Sequence, residues 1–183
     1  MNICVYCSAS NKIAPGYFEL ATDLGAALAQ RGDTLVYGGS SAGLMGKLAQ
    51  TAQQHGGRVI GIIPQSLVDL ELAYHNADEL LITPNMRERK ANMEARADAF
   101  LALPGGVGTM EEIFEIMAAR SLKLLHKPLV MLNFEHFYDP LIHLLEHMQS
   151  ANFLRAGYET MVYFAPTVDD ALAYIDAHPA EAK

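Results

Sequence analysis

Gly105, Gly106, Val107, Gly108 and Thr109 run directly into Met110, Glu111 and Glu112, with Glu115 one turn further on. Glycines let a backbone approach a ligand closely. The first N–H groups of a helix have no partner within it and sit at its positive end. A strand, a glycine turn and a helix start therefore make a cradle for phosphate, and the Thr109 hydroxyl can donate to a phosphate oxygen. The turn lacks the Lys-Ser/Thr ending of an ATP-binding loop and is not G-x-G-x-x-G, which disfavours ATP hydrolysis and hydride transfer from a nicotinamide. A carboxylate beside a phosphate is repelled unless cations intervene. Glu111 is free to face solvent, whereas Glu112 and Glu115, three apart, share one helix face. A carboxylate there could stabilise a developing cation or orient water. The cations are Arg87, Arg89 and Lys90. Arg87 reads as a solvated surface charge. Arg89 and Lys90 fall near Met86, Met93 and Ala97 on the helical wheel, so they are placed to face a cleft. An arginine fork suits bidentate binding of phosphate or ribose oxygens.

Other residues carry weaker signals. Gly38 to Gly46 form a second glycine turn, equally suited to ligand contact and to close packing of helix on strand. Ser8 and Ser10 are ligand contacts or turn formers. Glu71 stands alone in an irregular stretch. Of the seven histidines, His143 and His147 are four apart but have no third ligand, so no metal site is expected. Met86, Met93, Met110 and Met117 read as core by residue type.

The elements that must hold these residues alternate along the chain. Strands are predicted at 2–7, 34–37, 58–63, 79–83, 99–103, 128–132 and 161–164. Helices are predicted from Pro15 to a stop at Gly32, at about 44–55, 84–97, 110–123 and 138–149, the last of these with Leu141, Leu144, Leu145 and Met148 on one stripe. A final helix, capped by Thr167, runs to about Ala177. Residues 65–78 read as a loop with one helical turn, and the tail after His178 as frayed. Short apolar strands without alternation are buried on both faces, as in a parallel sheet. The fold class is α/β: one Rossmann-like, doubly wound parallel sheet of six to seven strands flanked by helices. Ligands of such sheets bind beyond the carboxyl ends of the strands, where Ser8 to Ser10, Gly38 to Gly43 and Gly105 to Thr109 all fall.

Composition sets the outer bounds. A chain of 183 residues, 51% of them hydrophobic, is expected to form a single ordered domain over 1–183. A net charge of −8 argues against a general nucleic-acid binder. It leaves room for a small anion, which local donors can hold. The two cysteines, Cys4 and Cys7, have C-x-x-C spacing without the second half of a zinc site. They lie on a strand rather than at a helix start, so buried free thiols are expected. With no apolar run of ~18 residues and no signal-peptide pattern, no membrane partner is expected, and a reducing cytoplasm fits.

Taken together, these motifs resemble the Lonely Guy family of cytokinin-activating phosphoribohydrolases. The family pattern Pro-Gly-Gly-x-Gly-Thr-x-x-Glu is matched by Pro104 to Glu112, and Met-x-x-Arg-Lys by Met86, Arg89 and Lys90. Tyr-Gly-Gly-Gly-x-x-Gly-Leu-Met-Gly is matched from Tyr37 to Gly46 except at Ser40, and the opening Cys-Gly-Ser-Ser only loosely by Cys7 to Ser10. The resemblance implies hydrolysis of the N-glycosidic bond of a nucleoside 5′-monophosphate, AMP or N6-prenylated AMP, to free base and ribose 5-phosphate. It implies Arg89 and Glu112 as the catalytic pair and Gly106 to Thr109 as the phosphate turn, with Gly105 beside it in substrate binding. Glu71, Lys90, Glu115, Ser10, Gly39 and Met86 become substrate-binding positions. It also implies a homodimer and no cofactor. Ala118, Ala119 and Ser121 depart from residues frequent in plant members, which leaves the base preference open. Members once carried a lysine decarboxylase label, but no pyridoxal phosphate lysine context is apparent here. The alternative is a non-catalytic nucleotide-binding or cofactor-carrier protein on the same fold.

Overall fold

A computed structural model describes residues 1–179. Seven strands pair in parallel throughout, in the order β4-β3-β2-β1-β5-β6-β7. They are β1 (Asn2–Tyr6), β2 (Thr34–Tyr37), β3 (Arg58–Pro64), β4 (Glu79–Thr83), β5 (Ala99–Ala102), β6 (Leu129–Leu132) and β7 (Tyr163–Ala165). The helices are α1 (Pro15–Gln30), α2 (Gly43–Gln54), α3 (Gln65–Val68), α4 (Met86–Arg96), α5 (Val107–Ser121), α6 (Asp139–Ser150) and α7 (Val168–Ala177).

The central strands β1, β2, β5 and β6 are apolar at nearly every position because both of their faces are covered. On one face Leu24 of α1, Leu48 of α2 and Leu172 of α7 pack on Ile3, Val5 and Leu101. On the other, Met93 of α4, Ile113 and Met117 of α5 and Leu145 of α6 pack on Cys4, Phe100 and Met131. The chain winds from β1 outward to β4, then resumes beside β1 at β5 and winds the other way. Successive loops after β1 and β5 thus lead to helices on opposite faces, which opens a crevice between them.

The two cysteines fall on opposite faces of the sheet, Cys7 in the α1 layer and Cys4 in the α5 layer, and both are free. Burial pushes both thiols well above their ordinary pKa, the inert state expected for structural cysteines.

Several boundaries differ from the sequence reading. Helix α5 begins at Val107 rather than Met110, so Gly108 and Thr109 are helical and Glu111 and Glu112 move out of the first turn. Its end comes at Ser121, because Lys123 has a left-handed backbone. Strand β7 starts at Tyr163, after a 3-10 turn that takes in Tyr158–Thr160. Leu144 leaves the apolar stripe of α6 and is half exposed. No described helix is long and apolar enough to cross a membrane. Of the tail read as frayed, all but Pro179 lies outside the described residues.

Candidate active site

Asn85 caps α4 by accepting from the Glu88 N–H at 3.0 Å, which fixes the helix start at Met86, three residues before Arg89. Arg89 is 3% exposed. Near a helix N-terminus a cation is disfavoured by the dipole, and the structure compensates with two acceptors. Arg89 Nε donates to the Ile62 carbonyl at 3.0 Å, and Nη1 donates to Glu112 Oε1 at 2.7 Å. The third nitrogen, Nη2, lies over Gly38, where a Cβ would stand 1.9 Å away. Position 38 therefore has to be glycine for the guanidinium to lie where it does.

Glu112 comes from the second turn of α5 and is 4% exposed. Burial pushes its carboxyl above the ordinary glutamate range, and the Arg89 guanidinium pulls it back only in part. A buried ion pair of this kind is stable only while both partners remain.

The next residue along α4 does something else. Lys90 donates to Glu111 and lies 2.8 Å from Glu115 Oε2. Burial works against its charge, but the two carboxylates outweigh it and hold the ammonium above the ordinary lysine pKa. Both acids are about half exposed. This corrects two expectations. Glu111 does not simply face solvent, and Glu115 does not join Glu112; Glu111 and Glu115, one turn apart, share Lys90.

The crevice between β1 and β5 holds a cavity of about 360 Å³. It is lined by Arg89, Glu111 and Glu112, by Gly106, Gly108 and Thr109, and by Cys7, Ser8, Ala9, Gly38, Ser40 and Met45. Met86, Leu67 and Leu72 complete the wall. Gly106 is the N-cap of α5 and offers no side chain to it. The helical ladder begins with the Met110 N–H donating to Gly106 O at 3.0 Å, so the Val107, Gly108 and Thr109 N–H groups precede it. A bare helix start and a buried carboxylate–guanidinium pair thus share one cavity.

Of the expected site residues, Arg89, Glu112, Gly106, Gly108, Thr109 and Met86 line this one cavity, though Met86 is 45% exposed rather than in the core that its residue type suggested. The others do not line this cavity. Lys90 and Glu115 are engaged with each other. The Val107 side chain is 87% exposed, leaving only its N–H at the helix start. Glu71 is exposed, in a left-handed backbone after α3. Gly39 is buried against Ile62 and Ile63, the packing alternative of its turn. Gly105 and Ser10 line a neighbouring cavity. Leu67 and Leu72 were missed, because the stretch carrying them has no periodicity. An antiparallel bridge between Ser40 and Ala73 draws it over the cavity. Among the described residues no three His, Cys, Asp or Glu side chains converge as a metal set.

Comparison with known proteins places the chain among relatives. The family model described as "Possible lysine decarboxylase" matches residues 45–175. A probable cytokinin riboside 5′-monophosphate phosphoribohydrolase of Oryza sativa subsp. japonica is 39% identical over 176 residues, spanning 96% of this chain and 79% of that protein. A cytokinin riboside 5′-monophosphate phosphoribohydrolase of Rhodococcoides fascians is 40% identical over 175 residues, spanning 95% and 88%. Among solved structures, the molybdenum cofactor carrier protein of Chlamydomonas reinhardtii superposes with a TM-score of 0.73 at 22% identity over 96% of both chains. At that identity the likeness establishes the fold alone.

Proposed function

This chain belongs to the "Possible lysine decarboxylase" family and aligns with phosphoribohydrolases over nearly its whole length, and from that premise we propose that it hydrolyses the N-glycosidic bond of a nucleoside 5′-monophosphate. The observation that carries this reading is the buried Arg89–Glu112 pair opening onto the same cavity as the start of α5. The 5′-phosphate docks on the N–H groups of Val107, Gly108 and Thr109, where the helix dipole favours an anion. That remote grip is spent on holding the sugar at the reacting end. The C1′–N bond breaks through an oxocarbenium-like state, as in glycoside hydrolysis. Glu112 stabilises the developing positive charge and positions the attacking water. Arg89 keeps Glu112 in place through Nη1 and offers Nη2 to the sugar-phosphate.

The lysine label has no support in the residues. Lys90, which follows Arg89 on α4, is committed to two carboxylates and its pKa is held high, the opposite of what a Schiff-base lysine needs.

We also propose a single cytoplasmic domain that acts as a homodimer. Phe114, Leu122, Leu124, Leu144 and Phe153 are exposed on α5, α6 and the segments after them, apolar side chains that a second copy would cover. The buried, unbridged thiols fit a reducing compartment.

The test is incubation with AMP and with N6-prenylated AMP, followed by chromatography for free base and ribose 5-phosphate. The parent protein releases both products. Glu112→Gln still binds nucleotide but loses about 10²–10⁴ in turnover, the range for a positioned acid–base group. A carrier protein would bind nucleotide and release no base on long incubation. Parental turnover in Glu112→Gln would remove Glu112 from the mechanism.

A further inference from the structure

At the edge of the sheet opposite the active-site crevice, α5 ends among positive charges. No acidic residue lies between Glu115 and Glu135, a stretch that carries Arg120, Lys123, His126 and Lys127 in a chain of net charge −8. Arg120, Lys123 and His126 line a cavity of about 560 Å³ with Ser121, Ala156 and Thr160, and no carboxylate of the described residues is in its wall. Glu159, next to Thr160 in the chain, turns its carboxylate over Gly157 instead. Helix α5 is about 22 Å long over its 15 residues, so this cavity and the cradle at Val107 sit at its two ends.

Arg120 lacks the partner its neighbours have. Three arginines of the described residues are not exposed: Arg89, Arg96 and Arg120. The first two are paired with Glu112 and Glu79. Arg120 meets only carbonyls: Nε donates to Met161 O at 2.7 Å, Nη2 to Thr160 O at 3.0 Å and Nη1 to Lys127 O. Burial pushes its pKa below the ordinary arginine value, and no carboxylate offsets that. A guanidinium has five N–H groups. Clasping the segments before β6 and β7 uses three, which accounts for where the side chain lies but leaves two donors and the charge without a partner. Charges withdrawn from water are normally paired. Lys123 is unusual in another way. Its N–H donates to Arg120 O, and the Leu124 N–H to Ala119 O, both at 2.9 Å, a Schellman ending in which residue 123 takes φ 57°. Glycine is the usual residue there, because a Cβ is penalised at positive φ. Here a lysine takes the place, and it lines the same cavity as Arg120.

We propose that this cavity binds a small phosphate-bearing anion, inorganic phosphate or a phosphate monoester, held by Arg120, Lys123 and the His126 ring. Arg120 offers its two remaining N–H groups, Lys123 its ammonium, and His126 one ring N–H in either neutral tautomer. The hydroxyls in the wall are turned to the backbone, Ser121 donating to Ala118 O at 2.9 Å and Thr160 to Gly157 O at 2.8 Å. The dipole of α5 opposes an anion at this end. Affinity therefore rests on the side-chain charges, and the loss of one of them is felt. The cradle at the start of α5 works the other way, with backbone N–H groups and a favourable dipole, so the two ends of one helix hold anions by different means.

Inorganic phosphate is titrated into the full chain and followed by two-dimensional amide NMR, with sodium chloride at matched ionic strength as the control and ribose 5-phosphate as the second probe. In the parent, the amides of Leu122 to His126 and of Ala156 to Thr160 shift along one isotherm, separate from that of Gly106 to Met110, and chloride does not move them. A response to both probes assigns recognition to the phosphate group itself, and a response to one of them assigns the site to the free ion or to monoesters. Lys123→Gly removes a cation and relieves the left-handed backbone. It weakens binding at this cavity about tenfold or more, the scale of one charge-assisted hydrogen bond. Its unfolding temperature stays level or rises, and its Gly106 to Met110 amides respond as in the parent. His126→Gln, an exposed position, weakens binding less. No phosphate shift at 122–126 and 156–160 in the parent, or parental affinity in both variants, overturns the proposal. Shifts that follow protein concentration and ignore phosphate would mean that a second copy covers the cavity, and would overturn it too.

Discussion

Arg89 and Lys90 are neighbours on α4, and both reach carboxylates of α5, yet the two pairings differ in kind. Arg89 and Glu112 are each at most 5% exposed at the side chain, and the guanidinium is further tied to the Ile62 carbonyl. Lys90 is 13% exposed, but its partners Glu111 and Glu115 are 55% and 49% exposed. One pair is excluded from water and lines the cavity. The other bridges the same two helices at the surface, where water and salt compete with it. A step of one residue along a helix, about 100° of rotation, separates a buried group that lines the cavity from one that joins two elements at the surface.

Breaking each pair sharpens the contrast. Arg89→Met leaves the Glu112 carboxylate buried without its cation, a loss of about 3–5 kcal/mol. Urea unfolding at neutral pH reads it directly, and a loss below about 1 kcal/mol would mean the pair is no more than a surface bridge. The pH dependence of turnover comes next. In the proposed reaction Glu112 acts as a carboxylate, and burial raises its pKa above the ordinary 4.5. Activity therefore falls as pH drops through a midpoint higher than that value. Stability moves the other way for this group. The native state holds the proton more tightly than the unfolded chain, so its contribution is full below the unfolded pKa and fades as pH rises through the folded one. A kcat/KM profile whose acidic midpoint lies at or below 4.5 would contradict the burial argument. The smallest effect belongs to Lys90→Met, which costs about 0–1 kcal/mol and less at high salt. Denaturation at two ionic strengths checks it. If Lys90 instead gripped substrate directly, KM for AMP would rise severalfold with stability unchanged.

Much of the scaffold was legible in the chain because periodicity and punctuation agreed. The runs at 34–37 and 79–83 match β2 and β4 residue for residue, and Thr167 caps α7 as read, accepting from the Asp170 N–H. The start of α5 was misplaced because glycines read as loop. Gly108 enters the helix at the first turn, where its lower propensity matters little against the demand for an open helix start. Arg89 and Glu112 were legible through their motifs. The fate of Lys90, Glu111 and Glu115 was not, because a helical wheel gives the angle of a side chain about its own axis and nothing about which helix lies across from it. Gly39 was ambiguous for the same reason: only the placement of Ile62 and Ile63 shows it to be a packing residue.

The two buried thiols, Cys4 in β1 and Cys7 just past its end, have a further use. Cys4 is sealed beneath the α4, α5 and α6 layer and Cys7 beneath the α1, α2 and α7 layer. An alkylating reagent reaches Cys4 only when its lid of helices lifts, whereas Cys7 is also approached through the cavity that it borders. Two residues three apart thus act as separate clocks, one for each side of the sheet. Cys7, which also borders the cavity shared by Arg89 and Glu112, is the one that a bound nucleotide would slow.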